Sequence, residues 1–219
     1  VTITYPRALL DVAQIAQCTV TLQRMDTRAT TRGGLVQVAN LGPATWKFAY
    51  QTVPLLAPDA NAWEAWLASL RGGLRYFQGT DARFQNPVAY PDGVATLTRP
   101  GGGSFDGTAN LTAADATAST VTLGALPVGY VASPGDWISF PTAASVALHR
   151  VIEGGVASGT GALTVTVEPA LRPGFVTGAG NARLVGAWCN AVIDPATINA
   201  VTTLDGVTSI QWTGYQALK

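Results

Sequence analysis

Along most of this chain apolar and polar positions alternate with a period of two, and once they switch to a period of 3.6. The switch falls in residues 58–77, PDANAWEAWLASLRGGLRYF. Trp63, Trp66, Leu67 and Leu70 lie there at the i, i+3, i+4, i+7 spacing of a single helix face. Asp59 is the expected cap, accepting from the first free backbone N–H groups. Arg71 stands where the helix dipole favours a cation, and Gly72-Gly73 supplies the positive φ that stops the helix. Two tryptophans on one short helix carry a large apolar surface that needs a sheet to cover.

The period-two stretches read as strands. In residues 18–25, Cys18, Val20 and Leu22 face one way and Thr19, Thr21 and Gln23 the other. Residues 26–34 follow as a polar loop with Arg28, Arg32 and a Gly-Gly pair, the expected tip of a long hairpin. Residues 45–53 put Trp46, Phe48 and Tyr50 on one face. Residues 1–10 are extended, with Pro6 excluding a central strand position, and residues 74–78 leave the helix as a strand. Short strands then recur at 120–126, 136–140, 146–152 and 163–168, with a turn at Ser158-Gly159-Thr160-Gly161 expected to join two of them into a hairpin. Longer strands resume at 185–193 and 208–215, bearing Trp188, Ile210 and Trp212.

Two punctuated stretches flank the short-strand block: residues 86–103, with Pro87, Pro91, Asp92-Gly93 and Pro100-Gly-Gly-Gly, and the Gly-rich residues 175–180. They suggest an inserted domain, residues 93–182, within an outer domain of residues 1–92 and 183–219. A simple N- and C-terminal pair is the rival division. The fold class is mainly β: an outer domain with one amphipathic helix and an insert built as a small antiparallel barrel or sandwich.

Charge changes the picture most. Of 219 residues only 12% are charged, about half the roughly 25% usual in soluble domains. Interface cores are depleted in charge, so burial against other subunits is favoured over mere small-residue richness as the cause. Formal net charge is zero, which leaves no electrostatic footprint for nucleic acid or an anionic membrane. No run of about 18 apolar residues is present to span a bilayer. No basic-then-apolar leader opens the sequence, so assembly in the cytoplasm is the expectation. Cys18 and Cys189 make neither a disulfide framework nor a metal cluster. They read as small buried hydrophobes, and lie side by side only if the chain ends pair.

Candidate chemistry is sparse. The lone histidine, His149, has no Asp or Cys motif beside it, and no Gly-x-Ser-x-Gly elbow occurs. Gly101-Gly102-Gly103 and Gly159-Thr160-Gly161 precede no helix, so they are turns, not phosphate cradles. Asp106, Asp115 and Asp136 lack the dense spacing of a calcium loop. No catalytic residue, metal or cofactor is expected. Periodicity favours core for all six tryptophans; Trp137, just after a Gly-Asp turn, is the least committed and is the candidate ligand or partner contact.

Residues 69–79 (SLRGGLRYFQG), following a Trp-rich helix, resemble the helix-to-strand segment of phage tail proteins of the distal-tail type. Residues 133–140 (SPGDWISF), 148–153 (LHRVIE) and 162–172 (ALTVTVEPALR) resemble the second domain of the same family. The likeness runs over most of residues 2–195, with residues 106–117 departing from it. It implies a β-sandwich-like first domain and an inserted barrel resembling the oligonucleotide/oligosaccharide-binding (OB) type. It implies a structural virion protein of the tail tip, assembled as a homo-oligomeric ring, typically hexameric. Its implied neighbours are the tail tube protein and the baseplate hub protein, with side fibres or receptor-binding proteins on the outer domain. Arg28 and Arg32 in the polar loop, and Arg71 and Arg75 at the helix exit, are then the expected subunit-interface residues. Two rival readings are a module that binds host-cell carbohydrate around Trp137 and a hydrolase using His149.

Overall fold

A computed structural model describes residues 3–142, 145–172, 174 and 177–217. The first half supplies strands β1 (Ile15–Gln23), β2 (Asp26–Thr30), β3 (Val36–Asn40) and β4 (Thr45–Thr52), helix α1 (Ala57–Ser69) and strand β5 (Phe77–Thr80). The middle supplies β6 (Thr108–Asp115), β7 (Thr120–Gly124), β8 (Val131–Ala132), β9 (Trp137–Pro141), β10 (Val146–Glu153), β11 (Gly155–Val156), β12 (Leu163–Glu168) and β13 (Gly178–Arg183). Strands β14 (Trp188–Thr202) and β15 (Thr208–Gln216) end the chain.

These strands build a five-stranded sheet, β1-β4-β15-β14-β5, and a closed barrel, β10-β12-β7-β6-β13-β9. The fold is mainly β with one helix and one small antiparallel barrel. In the sheet, the layer opposing the strands is α1. The barrel closes with six strands, one more than an OB barrel has.

Alternation decides which side chains enter the sheet's core. On β4 the burial pattern alternates strictly, turning Trp46, Phe48 and Tyr50 inward; on β15 Ile210 and Trp212 do the same. Trp63 and Trp66 lie fully buried 5.2 and 6.0 Å from the Trp212 ring, and Trp66 packs edge-on to Phe77 at 5.7 Å. Both helix indoles have acceptors: Trp63 Nε1 donates to Gln14 Oε1 at 2.6 Å and Trp66 Nε1 to the Ala8 carbonyl at 2.8 Å. Buried indole N–H groups need such partners.

Several local expectations need correction. The helix begins at Ala57 with Leu56 as N-cap and no side-chain cap bond; Asp59 sits inside the first turn, where it favours the dipole instead. Pro58 explains the shift, since proline fits a first-turn position that needs no N–H. The helix exit is a 3-10 turn with Arg71, Gly72 and Gly73 all at positive φ, so the next strand starts at Phe77 and Leu74 is left exposed. The turn at 158–161 is present, with Gly161 N donating to the Ser158 carbonyl at 2.9 Å. It lies in the connection between β10 and β12, which pair antiparallel from Arg150 opposite Glu168 to Glu153 opposite Thr166, so the expected hairpin is present, with β11 branching off within its loop to pair with β8. The departing stretch at 106–117 contains barrel strand β6. Of the expected junction at 175–180, residues from Gly178 onward belong to β13, which closes the barrel against β6 and β9. Phe175 and Val176 lie outside the described residues, as do Val1 and Thr2.

The barrel does not stand apart from the sheet. Strand β9 is buried on both faces: Ile138 and Phe140 join the barrel core, while Trp137 joins the sheet's core. Leu148 of β10 also joins the sheet's core, and its carbonyl accepts from Trp46 Nε1 at 2.8 Å. Among the described residues no helix is long and apolar enough to cross a membrane.

Candidate functional site

Strands β2 and β3 form a two-stranded ribbon that belongs to neither the sheet nor the barrel. Pairing runs from Asp26 opposite Asn40 to Thr30 opposite Val36, and every residue of both strands is exposed. The turn is held by Thr31 N donating to the Leu35 carbonyl at 2.8 Å, with Gly34 at φ +80°. One face carries Arg28 beside Val36 and Val38, and the other carries Thr27, Ala29, Gln37 and Ala39. Met25, Leu35, Val36, Val38 and Leu41 are between 46% and 72% exposed. A two-stranded hairpin with both faces wet is marginal in water by itself, and its open edges are templates for further pairing.

The root of the ribbon is fixed. Leu41 N donates to the Met25 carbonyl at 2.8 Å, and Gly42 N to Asn40 Oδ1 at 2.9 Å. Arg24, just before β2, pairs with Glu168 of the barrel at 2.6 Å. Arg172 Nη2 donates to the Ala44 carbonyl at 3.1 Å, just before β4. The ribbon therefore continues the Gln23–Thr45 end of the sheet, is steadied at its root from the barrel and is free at its tip.

The four arginines expected at an interface fall on two elements. Arg28 lies on β2 and Arg32 in the ribbon turn, both exposed. Arg71 and Arg75 flank the passage from α1 to β5, also exposed, with the Arg75 guanidinium 5.2 Å over the Tyr5 ring. None of the four takes part in the ion pairs found among the described residues, which join Arg24 to Glu168, Arg83 to Asp81 and Arg99 to Asp106.

Trp137 is corrected as a ligand platform. Its indole is only 5% exposed, in a T-shaped pair with Trp46 at 4.8 Å and with the Arg150 guanidinium 5.2 Å over the ring. Nε1 donates to Asp81 Oδ2 at 3.3 Å. Asp81 is itself buried and held by two bonds from Arg83, at 3.0 and 2.9 Å. The cluster joins sheet to barrel and leaves no ring face for a sugar.

His149 is buried, stacked on Phe140 at 4.9 Å, with Nδ1 2.8 Å from the Pro169 carbonyl. Burial pushes its pKa down to about 4, so the ring is neutral at physiological pH. It borders a cavity of about 100 Å³ lined also by Thr142, Ser145, Arg172 and Gln216. That volume suits a few waters, well below the several hundred Å³ of ordinary ligand sites. Cys18 and Cys189 are buried free thiols; burial pushes Cys18 up to about 12 and Cys189 well above its ordinary value. Strands β4 and β15 stand between their strands in the sheet. No group of three or more His, Cys, Asp or Glu side chains suited to a metal occurs among the described residues.

Residues 26–34, polar as the tip of a hairpin would be, pair as strand β2 over Asp26–Thr30, and the turn itself follows at Thr31 to Leu35. Val36 and Val38 alternate with Gln37 and Ala39 exactly as a half-buried strand would, so alternation marked a strand without saying what covers it. No protein-family model matches the chain, and no curated protein matches it in sequence.

Proposed function

We propose that this protein is a structural subunit of a phage tail tip, of the distal-tail type. In this reading it assembles with copies of itself into a ring, six being the family's usual number, between the tail tube and the baseplate hub. The barrel faces outward, where side fibres or receptor-binding proteins attach. The observation that carries the reading is the ribbon of β2 and β3, exposed on both faces and edged with apolar side chains. A neighbouring chain laid on it would bury those side chains and satisfy its open edges. Low overall charge supports the same reading, since two different patches of every subunit are buried in a ring. The likeness of residues 69–79 and of the barrel strands to distal-tail proteins supplies the tail-tip setting.

The test is the mass and shape of the purified protein. Light scattering and negative-stain images should show closed rings many times the 22.6 kDa chain mass. Replacing residues 27–39 by Asn-Gly closes the hairpin on the Asp26–Asn40 pair with a two-residue turn. That variant should keep its circular dichroism spectrum and lose the rings. Closed rings formed without the ribbon would overturn the ribbon's role, and a wild-type chain that stays monomeric would overturn the ring.

A further inference from the structure

A second hairpin stands at the opposite end of the sheet, its β15 arm paired with β4 and bridged to Leu55 at Thr208, and the second half of its β14 arm left open on the outer side, since β5 pairs only with Trp188 to Ala191. The ribbon leaves where Gln23 faces Thr45. Across β4 and β15, Lys47 faces Tyr215 and Gln51 faces Gln211, so the Thr208 end of β15 lies at the far end from the ribbon. There Pro195 interrupts β14, and the register shifts between Asp194 and Asn199, because proline cannot donate to the ladder. Beyond it the strands run on as a hairpin, Asn199 facing Gln211 and Thr202 facing Thr208. The second half of β14 is exposed on both faces, and Ile198, Val201 and Leu204 display their side chains to solvent.

The two hairpins are complementary in charge as well as matched in apolar character. Residues 184–218 contain no Lys or Arg, and their acids are Asp194 and Asp205. Around the ribbon, Arg24, Arg28 and Arg32 outnumber Asp26, and Arg24 is already taken by Glu168. Arg28 and Arg32 on one hairpin, and Asp205 in the turn of the other, belong to none of the ion pairs found among the described residues.

We infer that the ribbon of one copy docks on the β14–β15 hairpin of the next, a head-to-tail contact between opposite ends of the same sheet. Leu35, Val36 and Val38 meet Val201 and Leu204, with Arg28 and Arg32 turned toward Asp205. This rests on the reading of the chain as a self-assembling subunit and names the receiving surface. A heterologous contact of this kind excludes a closed two-fold dimer; it makes a ring if the rotation closes and a filament if it does not.

Complementary defects test it. Val38→Asp spoils the ribbon and leaves the hairpin intact; Leu204→Asp does the reverse. Both positions lie outside the core, and thermal melts by circular dichroism confirm that each variant folds. Each variant alone should be monomeric by light scattering. Mixed in equal amounts they should form a 1:1 dimer of twice the 22.6 kDa chain mass and nothing larger, since one sound ribbon and one sound hairpin remain to meet. If Leu204→Asp assembles as the wild type does, or self-associates through ribbons, the receiving surface is wrong while the ribbon's role stands. A mixture that stays monomeric overturns the head-to-tail contact, as does capture of a different tail protein by the ribbon with the hairpin left free. A wild-type chain monomeric at the highest concentration reached overturns both this contact and the ring.

Discussion

At position 149 burial holds the imidazole neutral, and that choice has a measurable cost in acid. The dominant cause is desolvation; Arg172 pushes in the same direction, and the Pro169 carbonyl opposes it. Between the ordinary value of 6.5 and the folded value of about 4 the unfolded chain binds a proton that the folded chain refuses. Stability therefore falls as pH drops through that window, by roughly 3 kcal/mol at 1.36 kcal/mol per pH unit. Urea unfolding at pH 7 and pH 4 should show a steeper loss for wild type than for His149→Gln; parallel losses would mean another group titrates. The comparison has to be between variants, because buried Asp136 works the other way. Desolvation raises its pKa despite bonds from the Val88 and Ser133 amides. Its folded form thus holds a proton the unfolded form has lost, and its contribution to stability declines as pH rises through the folded value. Asp59 is a milder case. Placed in the first turn without a cap bond, its carboxylate favours the helix dipole. Asp59→Ala should cost about 0.3–1 kcal/mol, and a loss approaching 2 kcal/mol would restore it as the cap.

Between elements, close approach matters more than periodicity. A Cβ added at Gly214 on β15 would lie 2.5 Å from Phe77 Cζ, and one at Gly79 on β5 would lie 2.8 Å from both Phe48 Cε2 and the Ala191 Cβ. These glycines leave the room that the two phenylalanine rings occupy. Gly214→Ala should cost about 1–3 kcal/mol by overpacking; a variant with the wild-type urea midpoint would show that Phe77 yields freely. From the other side, Trp66→Ala removes a fully buried indole and strands the Ala8 carbonyl, a loss of about 3–5 kcal/mol. The helix stripe and the inward faces of β1 and β4 were legible in sequence because a one-sided burial pattern repeats within the segment itself. Gly79 and Gly214 were not, since the ring each one admits comes from another strand. Strands β6 and β13 were missed for a related reason. Thr108–Asp115 and Gly178–Arg183 are built mostly of Ala, Gly, Thr and Asn, so their inward residues Ala109, Leu111 and Ala182 give almost no hydropathy contrast. The same composition reads equally as a junction.

Across the whole molecule the tryptophan taken from sequence as the freest is the one that joins the two cores. Trp137 leaves the barrel wall, enters the sheet's core against Trp46, and ties to Asp81 and Arg150. Leu148, also in the sheet's core, adds to the join through its carbonyl bond from Trp46; the other described ties are lighter: Arg24 to Glu168, with side chains 50% and 30% exposed, is worth at most about 1 kcal/mol. Single bonds run from Arg172 to the Ala44 carbonyl and from Trp188 N to Ser139 Oγ. The two cores are separate buried apolar clusters, so the join between them sets whether they unfold together. Trp137→Ala should then do more than lower stability by about 3–5 kcal/mol. It should divide a single calorimetric transition into two, the sheet's and the barrel's, because the coupling is lost while both cores persist. One transition in the variant would mean that the Trp46 bond to the Leu148 carbonyl and the polar ties suffice. The consequence reaches the ribbon, whose root is held from the barrel side by Arg24 and Arg172: a loosened barrel should also weaken assembly, by misdirecting an arm whose own residues are unchanged.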